Sequence, residues 1–433
     1  MDRIFGSQLG NHAGARVRLA GWLHNLRALG KINFLQLRDA SGIVQVVLTK
    51  DDLSQLGGAL PESVIEVEGT VVVEPQAPGG FELHEPAITV VNRISETLPF
   101  PINKPDLDVH LDTFLNFATF GLRHPRKQAV FRLSAGVMGG FRGFLDQEGF
   151  VEVVTPKVVE SATESGANVF TIDYFGRPAY LAQSPQFYKQ MMVGVFERVY
   201  ETGPVFRAEP HATVRHINEY LSLDVEFGFV RDHFDVMALL TRLIRAMLAH
   251  LQLHCARELE LLQVQMPLTP EAFPHIYFPD ALKLIHDRHG EDCLDEPDLS
   301  PQHERWLGEW ARTEHGSDFV FVTGYPMVKR PFYTHPNPAD RRYANGFDLL
   351  FRGTELVTGG QRLHKYEDYI EALKSRGITD LAPFDGYLQA FRYGMPPHGG
   401  FAIGCERFVM QLTGVTNLRE TTLFPRDLNR LSP

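Results

Sequence analysis

The stretch GPVFRAEPHATVRHINEYLSLDVEFGF, residues 203–229, predicts two antiparallel strands joined by a charged loop. Its second half alternates apolar and polar residues with the period of a strand, and the polar positions include carboxylates on one face. The loop region carries Arg207, Glu209, Arg215 and His216. Guanidinium groups match phosphate geometry with two parallel hydrogen bonds, so the hairpin suits a polyphosphate and a base amino group. For a charged hairpin taken alone, a solvated cluster of salt bridges is the alternative.

Length and composition describe a globular chain with more than one domain. The 433 residues exceed one ordinary core, which favours two or three domains. The 44% of hydrophobic and 22% of charged residues are typical of soluble globular proteins. The N-terminus shows no basic region followed by an apolar run, and no segment approaches the ~18 apolar residues of a membrane span. The sequence therefore predicts a cytoplasmic protein with no membrane partner.

The charge and the cysteines exclude some kinds of site. A formal net charge of −11 argues against a protein that coats nucleic acid without specificity. A local basic face on an acidic body still permits a tRNA partner. Cys255, Cys293 and Cys405 are odd in number and widely spaced, so neither a disulfide framework nor a structural zinc site is indicated.

The order of residues in the 203–229 stretch resembles motif 2 of class II aminoacyl-tRNA synthetases, in the aspartyl, asparaginyl and lysyl subgroup. Phe-Arg-x-Glu is followed by a loop, by Arg-His-x-x-Glu-Tyr and by an acidic strand. Residues 130–156 resemble motif 1, which ends at Pro156, and residues 399–412 resemble motif 3. No large domain separates motifs 2 and 3, so the chain is similar to aspartyl-tRNA synthetases of the shorter, archaeal/eukaryotic-like architecture.

The fold implied is multidomain α+β. Short strands broken by turn residues predict a small β-barrel over residues 1–95, and the OB-fold is the usual barrel that reads single-stranded nucleic acid. Prolines predict a stiff hinge over residues 96–125. Residues 126–433 resemble the class II catalytic domain, an antiparallel sheet flanked by helices. Motif 1 then implies a homodimer.

The barrel sequence GWLHNLRALGKINFLQLRDASGIVQVVL is similar to the anticodon-binding domain of aspartyl-tRNA synthetases. The resemblance implies that Phe34 stacks on the middle anticodon base and that Gln45 reads a base edge, with Arg27 and Glu82 beside them. Periodicity alone favours Phe34 as a core residue.

Two further positions bear on the choice of tRNA. By resemblance, His24 and Pro78 lie where the third anticodon base is met. A small or non-cationic residue in the loop of Pro78 is associated in this family with relaxed choice. The hypothesis is therefore that tRNA(Asn) is charged as well as tRNA(Asp).

The resemblance implies an ATP site made of residues from distant segments. Arg207 is the expected catalytic residue, since it would hold the α-phosphate as negative charge develops. Mg²⁺ would lie on Asp348 and Glu355, because magnesium is held by one or two carboxylates plus substrate phosphates. The expected ATP-binding residues are Arg207, Glu209, Arg215, His216, Glu355 and Arg407.

The expected L-aspartate site adds two more cations. Lys189 and Arg362 are assigned to the side-chain carboxylate of the substrate. Thr358, on the same strand pair as the metal ligands, is also assigned to the aspartate site. Two buried cations facing a neutral amide would lack a counter-charge, which favours the aspartyl over the asparaginyl interpretation. The substrate ammonium group is assigned to Glu164, Gln186 and Asp224.

The remaining segments carry no predicted chemistry. Residues 232–262 predict one long amphipathic helix. Residues 265–330 are interpreted as an irregular insertion in which His286, His289 and His303 lie on the surface without a zinc site. The alternatives left open are an asparaginyl-tRNA synthetase, a synthetase-like paralogue without tRNA charging, and a regulator that keeps only the barrel.

Overall fold

The computed structural model describes residues 1–28, 32–160, 168–210 and 213–432. It divides into two compact units, residues 1–125 and 126–433. The predicted hinge, residues 96–125, is therefore part of the same compact unit as the barrel.

The first unit is built around a closed five-stranded barrel of order β1-β2-β3-β5-β4. Alternation sets its core, because Leu35 and Leu37 of β2 point inward with no exposed area while Phe34 stays half-buried and outside the core cluster. The barrel prediction is confirmed. Its strands are β1 (Arg16–Ala28), β2 (Asn33–Asp39), β3 (Gly42–Leu48), β4 (Val64–Val73) and β5 (Phe81–Asn92).

Short helices accompany the barrel in this unit. They are α1 (Asp52–Gln55), α2 (Leu111–Asn116) and α3 (Ala118–Gly121). The segment after the barrel has a small apolar core of its own, made of Phe100, Ile102, Phe114 and Leu115.

The second unit is built on an eight-stranded sheet of order β12-β13-β14-β15-β16-β11-β10-β6, with a separate three-stranded sheet β7-β9-β8. The large sheet is mainly antiparallel, as predicted, but β6 with β10 and β12 with β13 pair in parallel, so it is mixed. The strands are β6 (Val151–Glu152), β7 (Val158–Val159), β8 (Thr171–Tyr174), β9 (Arg177–Leu181), β10 (Arg198–Phe206), β11 (Glu219–Gly228), β12 (His275–Tyr277), β13 (Phe319–Thr323), β14 (Gly346–Phe351), β15 (Thr354–Gln361) and β16 (His398–Gly404).

Helices cover the sheet, and the main core lies between them and its strands. They are α4 (Pro125–Gln147), α5 (Gln186–Phe196), α6 (His233–His254), α7 (Ala256–Leu262), α8 (Phe278–His289), α9 (Pro301–His315), α10 (Tyr366–Ser375), α11 (Asp385–Arg392) and α12 (Cys405–Thr413).

The predicted helix over residues 232–262 is interrupted at Cys255, which separates α6 from α7. Among the helices described, α6 is long and apolar enough to cross a membrane by length and composition, with a hydropathy of 1.3. More than half of that window is buried, and its apolar face packs into the core of the catalytic unit. The expectation that no segment approaches a membrane span in length and hydropathy is therefore wrong for α6, which is a core helix.

The interpretation of residues 265–330 as an irregular insertion is wrong. The segment supplies β12 and β13 to the large sheet and packs α8 and α9 over a core of its own. His303 is buried rather than on the surface, because it closes a capping box with Ser300 at the start of α9, and its Nε2 lies 2.9 Å from Glu291.

Candidate active site

A cavity of about 180 Å³ opens between the β10–β11 hairpin, β15 and the start of α12. The three segments converge because β11 and β15 flank β16 in the sheet and α12 follows β16 directly. All the residues predicted to bind ATP line this cavity: Arg207, Glu209, Arg215, His216, Glu355 and Arg407.

Arg207 follows the last residue of β10, where the strand pairing holds its backbone. Its N–H donates to the carbonyl of Asn218 at 2.9 Å. The guanidinium lies 5.7 Å from the centre of the Tyr220 ring, a cation–π contact that orients it along the cavity wall.

Motif 3 is fastened to motif 2 and to β15 by two side chains in the first turn of α12. Arg407 donates to the backbone carbonyl of Glu355 at 2.9 Å. Both oxygens of Glu406 accept from the N–H of Leu221, at 3.0 and 3.1 Å. Burial raises the pKa of Glu406 to about 7. These contacts join the first turn of α12 to β11 on one side of the cavity and to β15 on the other.

The two predicted metal ligands lie on the β14–β15 hairpin. Asp348 is directly opposite Thr358, whose hydroxyl donates to Glu355 at 3.1 Å. Both oxygens of Asp348 accept from Arg330, at 3.0 and 2.8 Å, so Asp348 already forms a bidentate pair with a partly buried cation. Glu355 and Thr358 lie on the cavity wall and offer the oxygen donors that Mg²⁺ prefers.

The part of the chain that the structure describes holds no group of three or more His, Cys, Asp or Glu residues placed to bind a metal. This donor set fits a magnesium ion held by one or two protein oxygens together with phosphates, and does not fit an all-protein metal cage.

Glu304 was not predicted. It lies on α9, and its Oε2 accepts from the N–H of Glu355 at 3.2 Å. Burial and then the negative charge of Glu355 raise the pKa of Glu304 to about 7, while Arg215 and Arg407 act in the opposite direction. No local pattern in the sequence of α9 marks this residue, because its place depends on the packing of α9 against the hairpin.

Lys189 lies on α5 behind the cavity and is 1% exposed. Its ammonium group is 3.0 Å from Asp224 and 3.3 Å from Glu226, both of which are buried on one face of β11. It also donates to the carbonyl of Phe401 at 3.1 Å. Lys189, which the sequence assigned to the substrate carboxylate, therefore lies in a buried cluster of ion pairs in this structure.

Arg362 joins the same cluster from the end of β15. Its Nε donates to Glu226 at 2.9 Å and its Nη2 donates to the carbonyl of Gly400 at 3.0 Å. A Cβ at position 400 would lie 2.1 Å from the carbonyl of Val225, so only glycine permits the backbones of β16 and β11 to lie this close together.

The charges of this cluster balance, which corrects one sequence-based argument. Lys189 and Arg362 were expected to lack a counter-charge when they face a neutral amide, but Asp224 and Glu226 already neutralise them in this structure. Burial alone would raise the pKa of Glu226, yet Arg362 and Lys189 outweigh it and hold that pKa below its ordinary value. Glu226 was missed as a site residue, although the alternation of β11 places it on the face of Asp224.

The cluster and the cavity are adjacent. Ser222 lines the cavity and its hydroxyl donates to Asp224 at 2.5 Å. Along β16 the carbonyls of Gly400 and Phe401 accept from Arg362 and Lys189, and Ala402 follows on the cavity wall. Ser222 and β16 thus contribute both to the cavity wall and to the contacts of the buried cluster.

Of the two remaining residues predicted to bind aspartate, the structure describes one, Gln186. Gln186 is in the first turn of α5 and 4% exposed, and its backbone N–H donates to the hydroxyl of Ser184. Glu164 lies outside the described residues.

In the first unit, the predicted anticodon residues share the outer face of the barrel. Arg27 pairs with Phe34 across β1 and β2, and Gln45 pairs with Glu82 across β3 and β5. The amide of Gln45 donates to Glu82 at 2.8 Å. Because Phe34 is outside the barrel core, it is free of the packing role that periodicity alone suggested.

Phe34→Ala is expected to raise the KM for tRNA about tenfold, because base–aromatic stacking is worth about 1–3 kcal/mol per base. Amino acid activation without tRNA should be unchanged. Aminoacylation and ATP–pyrophosphate exchange measured on the same preparation check this. A loss in both assays would assign Phe34 to stability, and Val47→Ala, at the β3 residue paired with Phe34, is the matched control.

His24 and Pro78 are placed differently. Pro78 is exposed in the turn between β4 and β5. His24 is 4% exposed, and its Nδ1 lies 2.9 Å from Arg38, which forms a bidentate pair with Glu62. Burial and Arg38 lower the pKa of His24 to about 4. Contact of His24 with a base stays a prediction, and it requires this cluster to open.

Comparison with known proteins extends these observations to both units. Residues 110–428 match the family "tRNA synthetases class II (D, K and N)", and residues 17–91 match the OB-fold nucleic acid binding domain. The chain therefore belongs to the class II tRNA synthetases of the D, K and N group. The family and both domain folds predicted from the sequence are confirmed.

The similar proteins narrow the group. The chain is 46% identical to an aspartate–tRNA(Asp/Asn) ligase of Thermus thermophilus, with 100% of each chain covered. It is 39% identical to an aspartate–tRNA(Asp) ligase of Pyrococcus horikoshii, with 97% of each covered. Among solved structures, an asparaginyl-tRNA synthetase of Pyrococcus horikoshii in complex with asparaginyl-adenylate matches with a TM-score of 0.92 at 30% identity over 100% of both chains.

Proposed function

We propose that this protein activates L-aspartate with ATP and attaches it to tRNA(Asp) and tRNA(Asn). The observation that carries the aspartate assignment is the buried cluster of Lys189, Arg362, Asp224 and Glu226 beside the cavity. Full-length similarity to aspartate–tRNA(Asp/Asn) ligases from several organisms supports both the amino acid and the relaxed choice of tRNA.

The cavity supplies the positive charge that adenylate formation needs. The α-carboxylate of aspartate attacks the α-phosphate of ATP and displaces pyrophosphate, so the site must align two anions and stabilise the charge that develops between them. Arg207 holds the α-phosphate, and Arg215, His216 and Arg407 hold the β- and γ-phosphates. Glu209 accepts from the adenine amino group.

A magnesium ion would be held by Glu355 and Thr358, with Asp348 shared with Arg330. When bound, it neutralises phosphate charge and favours the bent polyphosphate. Glu304 holds the backbone of Glu355 in place beneath this site.

Aspartate selection follows from an exchange of ion pairs. In the closed cluster Lys189 and Asp224 neutralise each other at 3.0 Å. L-aspartate brings both a side-chain carboxylate, which pairs with Lys189 and Arg362, and an ammonium group, which pairs with Asp224. Asparagine brings the same ammonium group but a neutral side-chain amide. Asp224 would then turn to the ammonium group and Lys189 would lose part of its counter-charge in a buried site, which costs several kcal/mol. Charge balance thus separates the two amino acids even though the empty cluster is neutral.

The remaining parts of the proposal concern the partners. The outer barrel face with Phe34, Gln45 and Glu82 binds the anticodon, and the exposed, uncharged Pro78 is compatible with either third anticodon base. Motif 1 forms a homodimer through α4. The reaction takes place in the cytoplasm.

ATP–pyrophosphate exchange with each amino acid, followed by aminoacylation of tRNA(Asp) and tRNA(Asn) transcripts, tests the proposal. Aspartate alone should support exchange, and both transcripts should be aspartylated. Exchange that depends on asparagine would support the asparaginyl alternative, for which the structural similarity noted above is the specific reason. Aspartylation of the tRNA(Asp) transcript alone would contradict relaxed tRNA specificity. Aspartate-dependent exchange without aspartylation of either transcript would support a synthetase-like paralogue that does not charge tRNA.

Lys189→Met is expected to raise the KM for L-aspartate at least tenfold and to leave the KM for ATP within twofold. The substitution removes a buried charge that meets the substrate carboxylate and lies outside the ATP cavity. Arg38→Met is the matched control, because Arg38 also forms a buried ion pair, 2.6 Å from Glu62, in the first unit. Equal increases in both KM values would contradict the assignment.

A further inference from the structure

Behind Gln186 lies a hydrogen-bond network that the catalytic assignments above do not use. Its centre is Gln190, one helical turn further along α5 and with no exposed area. Its other members come from α10, α11 and β16: Tyr369, Tyr387 and His398, which are all buried. The segment that carries α10 and α11 had no role in the sequence analysis.

The amide of Gln190 is bonded on every side. Its oxygen accepts from the amide nitrogen of Gln186 and from the hydroxyl of Tyr387, both at 3.0 Å. Its nitrogen lies 3.0 Å from the hydroxyl of Tyr369 and 3.0 Å from Nε2 of His398. A glutamine amide has two acceptor positions and two donor hydrogens, so this set is complete.

Two backbone carbonyls fix the direction of the hydrogens. Nδ1 of His398 lies 2.9 Å from the carbonyl of Pro396, and a carbonyl only accepts, so Nδ1 carries the hydrogen. Burial lowers the pKa of His398 to about 4, which keeps the ring neutral and leaves Nε2 as an acceptor. The hydroxyl of Tyr369 donates to the carbonyl of Leu363 at 2.9 Å and therefore accepts from Gln190.

The amide orientation of Gln190 then determines the amide orientation of Gln186. Because His398 and Tyr369 both accept from Gln190, the amide nitrogen of Gln190 faces them and its oxygen faces Gln186. Gln186 must then turn its own nitrogen toward Gln190. Its carbonyl oxygen is left as the atom that it can offer to a ligand.

We propose that Gln190 is a positioning residue that fixes the amide orientation of Gln186, so that Gln186 presents a carbonyl oxygen to the ammonium group of L-aspartate. The inference rests on the proposed function, because it specifies how the amino acid subsite is prepared. A carbonyl oxygen accepts from an ammonium group, whereas the reversed amide would direct N–H donors at a cation. The network therefore stabilises the acceptor orientation before the substrate arrives.

Packing around the network is independent of its hydrogen bonds, which makes the proposal testable. The ring of Tyr387 stacks on Phe187 with centroids 4.2 Å apart and planes 22° apart. Tyr387→Phe keeps this stack and removes only the hydroxyl, which lies 3.0 Å from Gln190 and 3.0 Å from the hydroxyl of Tyr369. Tyr366→Phe is the matched control, since Tyr366 is on α10 beside the network and its hydroxyl bonds only to Arg392 among the contacts described.

The experiment measures KM for L-aspartate and for ATP by ATP–pyrophosphate exchange with the full chain. Gln190→Met should raise the KM for aspartate about 10- to 100-fold, and Tyr387→Phe about 3- to 10-fold, because hydrogen bonds to charged groups are worth more than neutral ones. The KM for ATP should stay within twofold. Tyr366→Phe should leave both values unchanged.

The same substitutions are then made in a Gln186→Ala background, which separates positioning from packing. If Gln190 acts through Gln186, Gln190→Met and Tyr387→Phe should each add less than twofold there. Additive effects in that background, or unchanged KM values in the single variants, would overturn the inference. If the unsubstituted protein shows no exchange with aspartate, the proposed function itself fails, a result distinct from additive effects in an active enzyme.

Discussion

Replacing Arg207 with alanine is expected to slow the formation of aspartyl-adenylate by about 100- to 1,000-fold at saturating ATP and aspartate. The reason is that the guanidinium meets the α-phosphate, where negative charge grows as the carboxylate attacks, so its contribution is larger in the transition state than in the bound substrates. Arg207→Lys should recover part of the rate, because lysine keeps the charge and loses the two parallel hydrogen bonds. Single-turnover adenylate formation measures the rate directly.

Arg198→Ala provides the control for this prediction. Arg198 lies at the other end of β10 and its guanidinium is 5.6 Å from the Phe150 ring centre, close to the geometry of Arg207 on Tyr220. The control should lose similar packing without slowing adenylate formation. A rate loss in Arg198→Ala equal to that in Arg207→Ala, or an Arg207→Ala variant in which only ATP affinity falls, would show that Arg207 does not act on the reacting phosphate.

The ATP-binding residues could be predicted from the sequence because each lies in a short segment with its own pattern. The alternation of residues 219–228 gives β11, the charged loop before it carries Arg207 and Arg215, and the Gly-rich turn before α12 gives Arg407. The structure brings all of them to one cavity wall.

The charge balance of the site could not be predicted in the same way. Glu226 and Arg362 are 136 residues apart, and nothing local indicates that they are partners. The sequence shows two acidic residues on one face of β11, but which cations they meet depends on how β15, β16 and α5 pack against that face. Glu304 was missed for the same reason, since α9 reaches Glu355 only through the packing of the second unit.

The error over residues 265–330 has a compositional cause. Proline, aspartate and histidine are frequent in the segment, and proline and aspartate are typical of turns. β12 is only three residues long, and β13 is a five-residue buried strand whose apolar run shows no alternation. Short strands that pair with distant partners carry little periodic signal, so the pairing of β13 with β14 became apparent only in the structure.

Glu226→Gln is expected to lower the free energy of unfolding of the catalytic unit by about 3–5 kcal/mol at pH 7, because it leaves Lys189 and Arg362 buried with Asp224 as their remaining counter-charge. Gln and Glu have nearly the same shape, so the loss would reflect charge and not packing. Urea denaturation followed by circular dichroism measures it. Asp318→Asn is the control for a buried carboxylate that pairs with two cations. Asp318 accepts from Arg312 and Arg352, which belong neither to the cluster nor to the cavity wall, so the aspartate KM of this variant should not change.

The pH dependence of this difference separates a charge effect from a general loss of stability. The pKa of Glu226 in the folded protein lies below its ordinary value, because Arg362 and Lys189 outweigh the opposing effect of burial. A lowered pKa means that the carboxylate contributes stability above the pKa of the unfolded chain, about 4.3, and loses it as the pH falls through the folded value. The gap between the unsubstituted protein and Glu226→Gln should therefore be constant from pH 6 to 8 and narrow below about pH 4. A gap that stays the same at acid pH would mean that the carboxylate is held by shape rather than by the two cations, and the ion-pair exchange that selects aspartate would lose its physical basis.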